Sequence, residues 1–367
     1  MKIGLFSVSH KHKKLFDGLG EALNIEFTFF RYEQKRFRVS WDIVRFFPKV
    51  KFSEAIAYSI KFFEARKSLT IPKQILYVYF ALELFEKYLR YMLTLDPKKD
   101  YYIFWNGKKP RHLIAIQIVK LWGIEVRYME NGLLPNRLVF DAKGVNFENS
   151  VPRERVFFEN YKARGLLPQT LIPRVAYHSD KFKDERITIP KEFIFVPFQV
   201  DYDSQILLYS PWIEDMRAFF NLIELLAKES DMHFIIKEHP SSRKDYDDLH
   251  KKSEAIENVS FVNGYSTQEL IEKSSAVLTI NSTVGIESLL LKKRVIVLGD
   301  ACYAIEGISK RVSNFQALLE ILENLENWKV EDSLRENFLN YLYFDYLIPM
   351  EDCSPKQFEK ILFNRGS

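Results

Sequence analysis

Residues 276–299 read AVLTINSTVGIESLLLKKRVIVLG, and this stretch determines the predicted fold class. Its first five residues form an apolar run typical of a buried strand. Asn281-Ser282-Thr283 end the run, a helical pattern follows, and a second strand-like run begins at Arg294. This is the repeating unit of α/β proteins. The polar turn lies at the carboxyl end of a strand and the N-terminus of a helix, where such proteins hold anions.

The same alternation of strand and helix patterns extends over residues 193–299. Apolar strand-like runs also begin at Phe193, His233 and Val259, and each precedes a helical pattern. We therefore predict a doubly wound parallel sheet that binds its ligand beyond the carboxyl ends of the strands. Polar residues follow all four strands: Gln199, Asp201 and Asp203, then His239, then Asn263-Gly264, and finally Asn281-Ser282-Thr283.

The first half also alternates, with predicted strands in KIGLFSV, IEFTFF, DYYIFW and IEVRYM. The last of these ends at Glu130-Asn131-Gly132. Residues 133–153 are rich in Asn, Pro and Gly and are predicted to form a long loop that carries Asp141. Residues 178–192 are charged and contain proline, so we predict the interdomain linker there.

The composition excludes several classes of protein. A chain of 367 residues is long enough for two domains, and a net charge of +4 argues against a nucleic-acid binder. Cys302 and Cys353 form no metal-binding or disulfide pattern and indicate a reducing compartment. No apolar run reaches about 18 residues, and the N-terminus lacks the charge order of a secretory signal. We expect a cytoplasmic protein.

Aromatic residues make up 15% of the chain, and many lie among basic residues in 27–52. One interpretation is a solvated basic surface over an aromatic underside. The other is a patch that binds anionic lipid, which would make the protein peripheral on the inner face of the cytoplasmic membrane.

Each candidate motif also has a structural interpretation. Glu238-His239-Pro240 is either a turn with a surface histidine or a rigid histidine that donates to a phosphate or leaving group. Lys237 beside it is interpreted as structural. Ser282 and Thr283 suit helix capping and phosphate binding equally, and Glu287 suits ribose hydroxyls or the helix dipole.

The carboxylates Glu130, Asp141 and Asp203 are individually weak signals, since turns and loops commonly carry such residues. Signatures of other enzyme classes are absent from the sequence: the P-loop, G-x-G-x-x-G after the first strand, G-x-S-x-G and H-E-x-x-H. No histidine joins the aspartate pairs at metal-ligand spacing, so no metal is expected.

Taken together and in order, MENG (129–132), FVPFQVDYDSQ (195–205), KEHP (237–240) and TINSTVGIESLLL (279–291) resemble the capsule polysaccharide biosynthesis family. Its characterised members include bacterial β-Kdo glycosyltransferases of capsule and lipopolysaccharide (O-antigen) assembly. The resemblance covers residues 100–305, including the loop 134–153. Three of the motifs also look like those of bacterial sialyltransferases. Asn131 stands where those enzymes have a second acid, which fits the Kdo group instead.

The resemblance implies a GT-B glycosyltransferase, an α/β fold with two Rossmann-like domains facing a central cleft. Residues 1–180 would form the N-terminal acceptor-binding domain and 190–330 the C-terminal donor-binding domain. Residues 331–367 would be helices that cross back to the first domain. The implied activity is retaining transfer of Kdo from CMP-β-Kdo to a saccharide or lipid-linked glycan, without metal or cofactor.

The resemblance also implies roles for individual residues. Glu130 would face the anomeric carbon, because retention by double displacement needs a carboxylate nucleophile. Asp203 would be the second carboxylate, His239 would contact the CMP phosphate, and Asp141 would orient or deprotonate the acceptor. The implied donor-binding residues are Gln199, Lys237, His239, Pro240, Asn263, Gly264, Asn281, Ser282, Thr283 and Glu287.

Two alternatives to Kdo transfer stay open at the level of sequence. One is another CMP-sugar transferase of the sialyltransferase type. The other is a non-catalytic capsule export or assembly protein, against which the retained Glu130, His239 and Ser282 argue.

Overall fold

The computed structural model describes residues 1–6, 13–30, 41–67, 71–171, 188–350 and 355–363. The chain divides into two compact units. Unit 1 consists of Met1–Gly132, Asn136–Ser150 and Leu347–Ser367, and unit 2 of Leu133–Pro135 and Val151–Tyr346. Residues 172–187 lie outside the described residues, and they include 178–187, most of the predicted linker 178–192.

Unit 1 alternates strands with helices that pack on its sheet. In chain order its elements are β1 (Lys2–Phe6), α1 (Lys13–Leu23), β2 (Glu26–Phe30), α2 (Asp42–Phe46), α3 (Phe52–Arg66), α4 (Lys73–Thr94), β3 (Tyr101–Trp105), α5 (Pro110–Leu121), β4 (Glu125–Asn131) and β5 (Arg137–Asp141). α5 begins with a proline at its first position and is followed by Gly123 at φ +75°, the usual signals of a helix start and stop.

Unit 2 repeats the strand–helix alternation more regularly. Its elements are α6 (Arg155–Glu159), β6 (Ile194–Pro197), α7 (Ser204–Tyr209), α8 (Met216–Glu229), β7 (Phe234–Lys237), α9 (Asp247–Ser253), β8 (Val259–Phe261), α10 (Thr267–Lys273), β9 (Ala276–Thr279), α11 (Val284–Leu290), β10 (Arg294–Val297), β11 (Lys310–Arg311), α12 (Phe315–Glu323) and α13 (Asp332–Asn340). Side-chain caps fix several helix starts. Asp215 accepts from the Ala218 N–H, and Ser266 and Glu269 form a capping box.

The chain returns to unit 1 after a π-helical turn at Tyr341–Tyr346, as β12 (Ile348–Pro349) and α14 (Pro355–Phe363). Phe358 of α14 stacks on Phe140 of β5, with ring centroids 4.5 Å apart. The predicted C-terminal segment 331–367 divides at Leu347, with residues 331–346 in unit 2 and residues 347–367 in unit 1.

The sheet of unit 1 is parallel except at one edge. Its order is β12-β5-β4-β3-β1-β2, and β5 pairs antiparallel with both of its neighbours, β4 and β12. The prediction of a loop at 133–153 is wrong over residues 137–141, which form β5 because Leu138, Val139 and Phe140 bury their side chains. The chain can reverse at Gly132, whose N–H donates to the Arg137 carbonyl at 2.6 Å. A Cβ there would lie 2.5 Å from that carbonyl carbon.

The sheet of unit 2 is parallel throughout, in the order β11-β10-β9-β6-β7-β8. The prediction of a doubly wound parallel sheet in the second half is therefore confirmed. The strand order reverses between β6 and β9, and the crevice beyond such a switch point is where doubly wound folds bind ligands.

Residues 151–171 pack with unit 2, although the predicted N-terminal domain extended to residue 180. Aromatic packing explains the difference, since the Phe158 ring lies 5.2 Å from Phe338 and 5.8 Å from Tyr341. Arg155 also forms a bidentate ion pair with Glu331, at 2.5 and 2.6 Å.

Among the helices of the described segments, none combines the length and the apolar character needed to cross a membrane.

Candidate functional site

Gln199 and Asn281 join the two strands at the switch point of unit 2. Both are buried, Gln199 after β6 and Asn281 after β9. The Gln199 Nε2 donates to Asn281 Oδ1 at 3.0 Å, and the Asn281 backbone N–H donates to Gln199 Oε1 at 3.2 Å. Asn281 Nδ2 donates to the carbonyls of Gln205 and Tyr209 at 2.9 and 3.0 Å. These two predicted donor-binding residues therefore shape the crevice by bonding each other.

Ser282 and Thr283 lie next to this pair at the start of α11, and both are half-buried. Ser282 Oγ accepts from the Val284 N–H at 3.2 Å, and Thr283 is the N-cap residue without a side-chain cap bond. Glu287 is buried on the first turn of the same helix. The half-buried hydroxyls are therefore better placed to meet a ligand than the buried amides and Glu287.

Tyr303 contacts this turn at Ser282 and Gly285, and the sequence alone did not predict these contacts. Its hydroxyl donates to the Ser282 carbonyl at 2.6 Å. Its ring lies under Gly285, where a Cβ would be 2.5 Å from the ring atoms. Burial raises the pKa of Tyr303, so the phenol stays a hydrogen-bond donor. Gly285 within the motif was the available sequence signal for this contact.

His239 follows β7 and is half-buried. Its Nδ1 accepts from the Ser241 N–H at 3.1 Å. In a neutral imidazole the other nitrogen must then carry the proton, so Nε2 is a hydrogen-bond donor. This tautomer suits the predicted contact with a phosphate oxygen. Pro240, directly after it, is also half-buried.

Glu238 and Asn263 form a buried network between β7 and β8. The Glu238 N–H donates to Asn263 Oδ1 at 2.9 Å, and Asn263 Nδ2 donates to Glu238 Oε1 at 3.2 Å. The same Oε1 lies 2.8 Å from His250 Nε2, whose ring stacks on Phe261 at 4.1 Å. Lys237 Nζ donates to the Asn263 carbonyl at 2.7 Å, which agrees with its structural interpretation. Asn263 thus positions the turn, and Gly264 beside it is half-buried.

The two aspartates after β6 differ in accessibility. Asp201 is buried and accepts from the Met216 N–H and the Tyr246 hydroxyl, both at 2.7 Å. Burial raises the pKa of Asp201, and these two hydrogen bonds act against the shift. Asp203 is exposed and caps α7 by accepting from the Gln205 N–H at 2.8 Å. Of the pair, Asp203 is the more exposed residue, although desolvation by the surrounding protein raises the pKa of its carboxyl.

Glu130 is the penultimate residue of β4, at the predicted end of this strand, and pairs with Val139 of β5. It is half-buried. Asn106 Nδ2 donates to its Oε2 and the Asn131 N–H to its Oε1, both at 2.8 Å. Asn106 follows β3 and has φ +65°, a left-handed conformation that asparagine tolerates. The sequence alone did not predict Asn106 as a site residue, whereas the structure shows it bonded to the Glu130 carboxylate.

Cationic side chains lie close to Glu130 in unit 1. Burial, followed by the charge of Arg111, lowers the pKa of Lys109, and the Glu130 carboxylate acts in the opposite direction. Lys108 forms an ion pair with Glu148. Of these cations, Lys109 is the one whose charge interacts with the Glu130 carboxylate.

Asp141 is buried at the end of β5. Its carboxylate accepts from the backbone N–H groups of Lys143, Gly144 and Ser150 at 2.7, 3.3 and 2.7 Å, and from the Ser150 hydroxyl at 2.8 Å. Four donors on one buried carboxylate make it an anchor of the loop 142–150. The predicted role of Asp141, to orient or deprotonate the acceptor, stays a prediction.

The described segments contain no group of three His, Cys, Asp or Glu side chains arranged to hold a metal ion. Within unit 2, the structure gathers the predicted donor-binding residues at the carboxyl ends of four parallel strands. Glu130 and Asp141 belong to unit 1.

Comparison with known proteins shows what the segment that forms the sheet of unit 2 is similar to. Residues 172–346 match the family model described as capsule polysaccharide biosynthesis protein. Protein FixF of Sinorhizobium fredii (strain NBRC 101917 / NGR234) is 38% identical over 249 residues, which are 67% of this chain and 60% of FixF. The match thus leaves two fifths of FixF uncovered.

The capsule polysaccharide export protein KpsS of Escherichia coli is 26% identical, over 57% of this chain and 69% of KpsS. Among solved structures, the β-Kdo 2,4 transferase KpsC of Thermosulfurimonas dismutans superimposes with a TM-score of 0.48 and 16% identity. That superposition covers 95% of this chain and 91% of the KpsC chain.

Proposed function

We propose that this chain is a retaining β-Kdo glycosyltransferase. It would transfer Kdo from CMP-β-Kdo to a saccharide or lipid-linked glycan during capsule or lipopolysaccharide synthesis. The observation that supports this most is the placement of Ser282 and Thr283 at the switch point of unit 2, and of His239 at the carboxyl end of β7, which pairs with β6. All three are half-buried, rest on buried scaffold pairs and lie within the segment matched by the family model. A cytoplasmic location is part of the proposal.

The crevice would hold the CMP end of the donor. The hydroxyls of Ser282 and Thr283 and the first N–H groups of α11 would bind the phosphate or the Kdo carboxylate, and His239 Nε2–H would donate to a phosphate oxygen. This hydrogen bond strengthens as negative charge develops on the departing CMP, so it stabilises the transition state more than the ground state. No resident cofactor is needed, because CMP-β-Kdo is the activated reactant.

Glu130 is the proposed nucleophile. Its carboxylate would attack the anomeric carbon from the face opposite the phosphate, the bond to the phosphate oxygen would break, and CMP would depart. The acceptor hydroxyl would then attack the same carbon, lose its proton to a base and release Glu130. Two inversions give net retention. Asn106 and the Asn131 N–H orient the carboxylate by their hydrogen bonds.

Asp203 is the alternative covalent carboxylate, since it is exposed at the mouth of the β6–α7 turn. Asp141 would contribute by holding the loop 142–150 in shape. The base that takes the proton of the acceptor hydroxyl is then expected to be a residue other than Asp141, because Asp141 is buried.

A second candidate is a non-catalytic role in capsule export. It is favoured by the similarity to KpsS of Escherichia coli, a capsule polysaccharide export protein. The two candidates differ in turnover. The catalytic proposal expects CMP release from CMP-β-Kdo, and the export proposal expects CMP-sugar binding at most.

The deciding experiment is a donor panel of CMP-β-Kdo, CMP-sialic acid and UDP-N-acetylglucosamine, with CMP or UDP release measured by chromatography and CMP binding by calorimetry. We expect CMP to bind and only CMP-β-Kdo to turn over. CMP binding without turnover of any donor would favour the export role. Absence of both would contradict the catalytic proposal.

A further inference from the structure

α4 carries two apolar stripes on opposite sides. Leu76, Phe80, Leu84 and Tyr88 recur every fourth residue and are buried in unit 1. Ile75, Val78, Tyr79, Leu82 and Phe85 follow the i, i+3, i+4, i+7, i+10 pattern and are all exposed, Leu82 to 66%. At 100° per residue the centres of the two stripes are about 180° apart. The inner stripe explains why α4 packs on unit 1, and the outer stripe needs a different explanation.

The outer stripe continues onto α2 and the 3-10 turn Phe47–Lys49. The Phe47 ring lies 5.6 Å from Phe85, and Trp41 and Val44 extend the surface at 88% and 68% exposure. Tyr88 donates from its hydroxyl to the Ile43 carbonyl at 2.5 Å, which fixes α2 on α4. We name this surface, Trp41, Val44, Phe47 and the five outer residues of α4, the α2–α4 face. A contiguous exposed apolar surface of this kind marks an interaction site.

Basic side chains border the α2–α4 face on its α2 side. Arg45 and Lys49 are exposed and lie 5.8 and 5.9 Å from the centroid of the Phe46 ring. Lys51 adds a third cation, paired with Glu54 at 3.1 Å. At the far end, Glu86 is engaged by Lys87 and Arg90. On its α2 side the border thus holds three cations, Arg45, Lys49 and Lys51, against two acids, Asp42 and Glu54.

We propose that the α2–α4 face docks unit 1 on the surface of a membrane that contains anionic lipid. The apolar stripe with Trp41 and Tyr79 suits the headgroup boundary, where amphipathic aromatic rings are favoured, and Arg45 and Lys49 complement lipid phosphates. α4 would lie in the plane of the interface, because its inner stripe is committed to the core of unit 1. The part of 27–52 that lies outside the described residues, 31–40, carries none of this argument.

The proposal is independent of the sugar-transfer chemistry and is tested by vesicle co-sedimentation of the full chain. Vesicles of phosphatidylcholine alone are compared with vesicles that also contain phosphatidylglycerol, at low and high salt. We expect sedimentation with the anionic vesicles, weakened by salt because the basic border is exposed.

Leu82→Glu tests the apolar stripe. It should lower vesicle binding by about tenfold or more, since burial of one leucine in the interface is lost and a charge is added. Leu225→Glu on α8 is the matched control, because Leu225 is also a helical leucine, 52% exposed, but lies in unit 2. Val78→Ser is a milder second variant in case Leu82→Glu impairs folding, which thermal unfolding would reveal.

Lys49→Glu tests the basic border and should lower binding to anionic vesicles by about fivefold or more. Lys329→Glu, an exposed lysine of unit 2, is its control. No sedimentation, equal binding to neutral vesicles, or equal effects of Leu82→Glu and Leu225→Glu would each overturn the proposal. A dimer in light scattering that Leu82→Glu converts to a monomer, without vesicle binding, would instead assign the face to a second copy of the chain.

Discussion

In unit 2 the conspicuous polar side chains bond one another across neighbouring parallel strands, whereas in unit 1 Glu130 is oriented by Asn106 from the adjacent strand and by its own hairpin. The Gln199–Asn281 pair is buried, and next to it Ser282 is half-buried. The comparison teaches that motif residues divide into a scaffold and a smaller set that can meet a ligand. The half-buried site candidates of unit 2 are mainly hydrogen-bond donors, whereas the half-buried candidate of unit 1 is the Glu130 carboxylate.

The largest expected effect comes from Glu130→Gln. Removing a covalent nucleophile should lower the rate of Kdo transfer by about 10³-fold or more. CMP affinity should stay unchanged, because the nucleotide is assigned to unit 2. Initial rates and CMP calorimetry provide the measurement. Glu125→Gln at the other end of β4 is the control, and similar losses in both variants would indicate a structural effect on the strand.

His239→Asn should lower kcat by about 10²-fold, since the hydrogen bond to the departing phosphate is lost. His233→Asn is the matched control, because His233 immediately precedes the same strand, β7, at its opposite end. Steady-state kinetics of both variants check the expectation. Equal rates for His239→Asn and wild type would remove His239 from the mechanism.

Asn281→Ala should lower the free energy of unfolding by about 2–3 kcal/mol, because Gln199 and two carbonyls would lose buried partners. Ser282→Ala should change stability by no more than about 0.5 kcal/mol and weaken CMP binding instead. Chemical denaturation and calorimetry of the two neighbouring variants separate scaffold from ligand contact. If Ser282→Ala were the more destabilising of the two, the division drawn for unit 2 would be wrong.

The smallest expected effect is a pH dependence located in unit 1. Burial, with Arg111 and Lys109, lowers the pKa of His112 to about 3. The unfolded chain takes up this proton near the ordinary pKa of about 6.5, so stability is complete above that pH and is lost as the pH falls toward 3. Between pH 7 and pH 5 the free energy of unfolding should fall by about 2 kcal/mol from this group.

His112→Leu should flatten that pH dependence in denaturation curves recorded at pH 7 and pH 5. The ring of His112 packs edge-on against Phe6, so an apolar replacement suits the site. Parallel losses in wild type and variant would place the acid sensitivity elsewhere.

The sequence was sufficient to predict the sheet of unit 2, because short apolar runs alternate there with capped amphipathic helices. It also located the polar strand ends correctly. It could not predict that Gln199 bonds Asn281, since that contact depends on β6 lying beside β9. Tyr303 under Gly285 escaped prediction for the same reason, as a side chain from a distant loop fills the space a Cβ would occupy.

Unit 1 was less predictable because β5 has a composition typical of a loop, and because the contact between Asn106 and Glu130 joins residues that are distant in sequence. The strand at 137–141 follows Pro135-Asn136 and precedes a glycine-containing loop, so its composition indicated a loop. Asn106 meets Glu130 only because β3 and β4 are adjacent and in register. The predicted central cleft and the convergence of Glu130 with His239 stay predictions.

The account's central claim is tested most directly by mass spectrometry of the protein after incubation with CMP-β-Kdo and no acceptor. We expect CMP release and a mass increase of one Kdo residue on the peptide that contains Glu130, both absent in Glu130→Gln. An adduct on the Asp203 peptide would move the nucleophile to unit 2. Double displacement would be contradicted if incubation without acceptor gave neither CMP release nor an adduct, and if the product formed after addition of an acceptor had the inverted configuration.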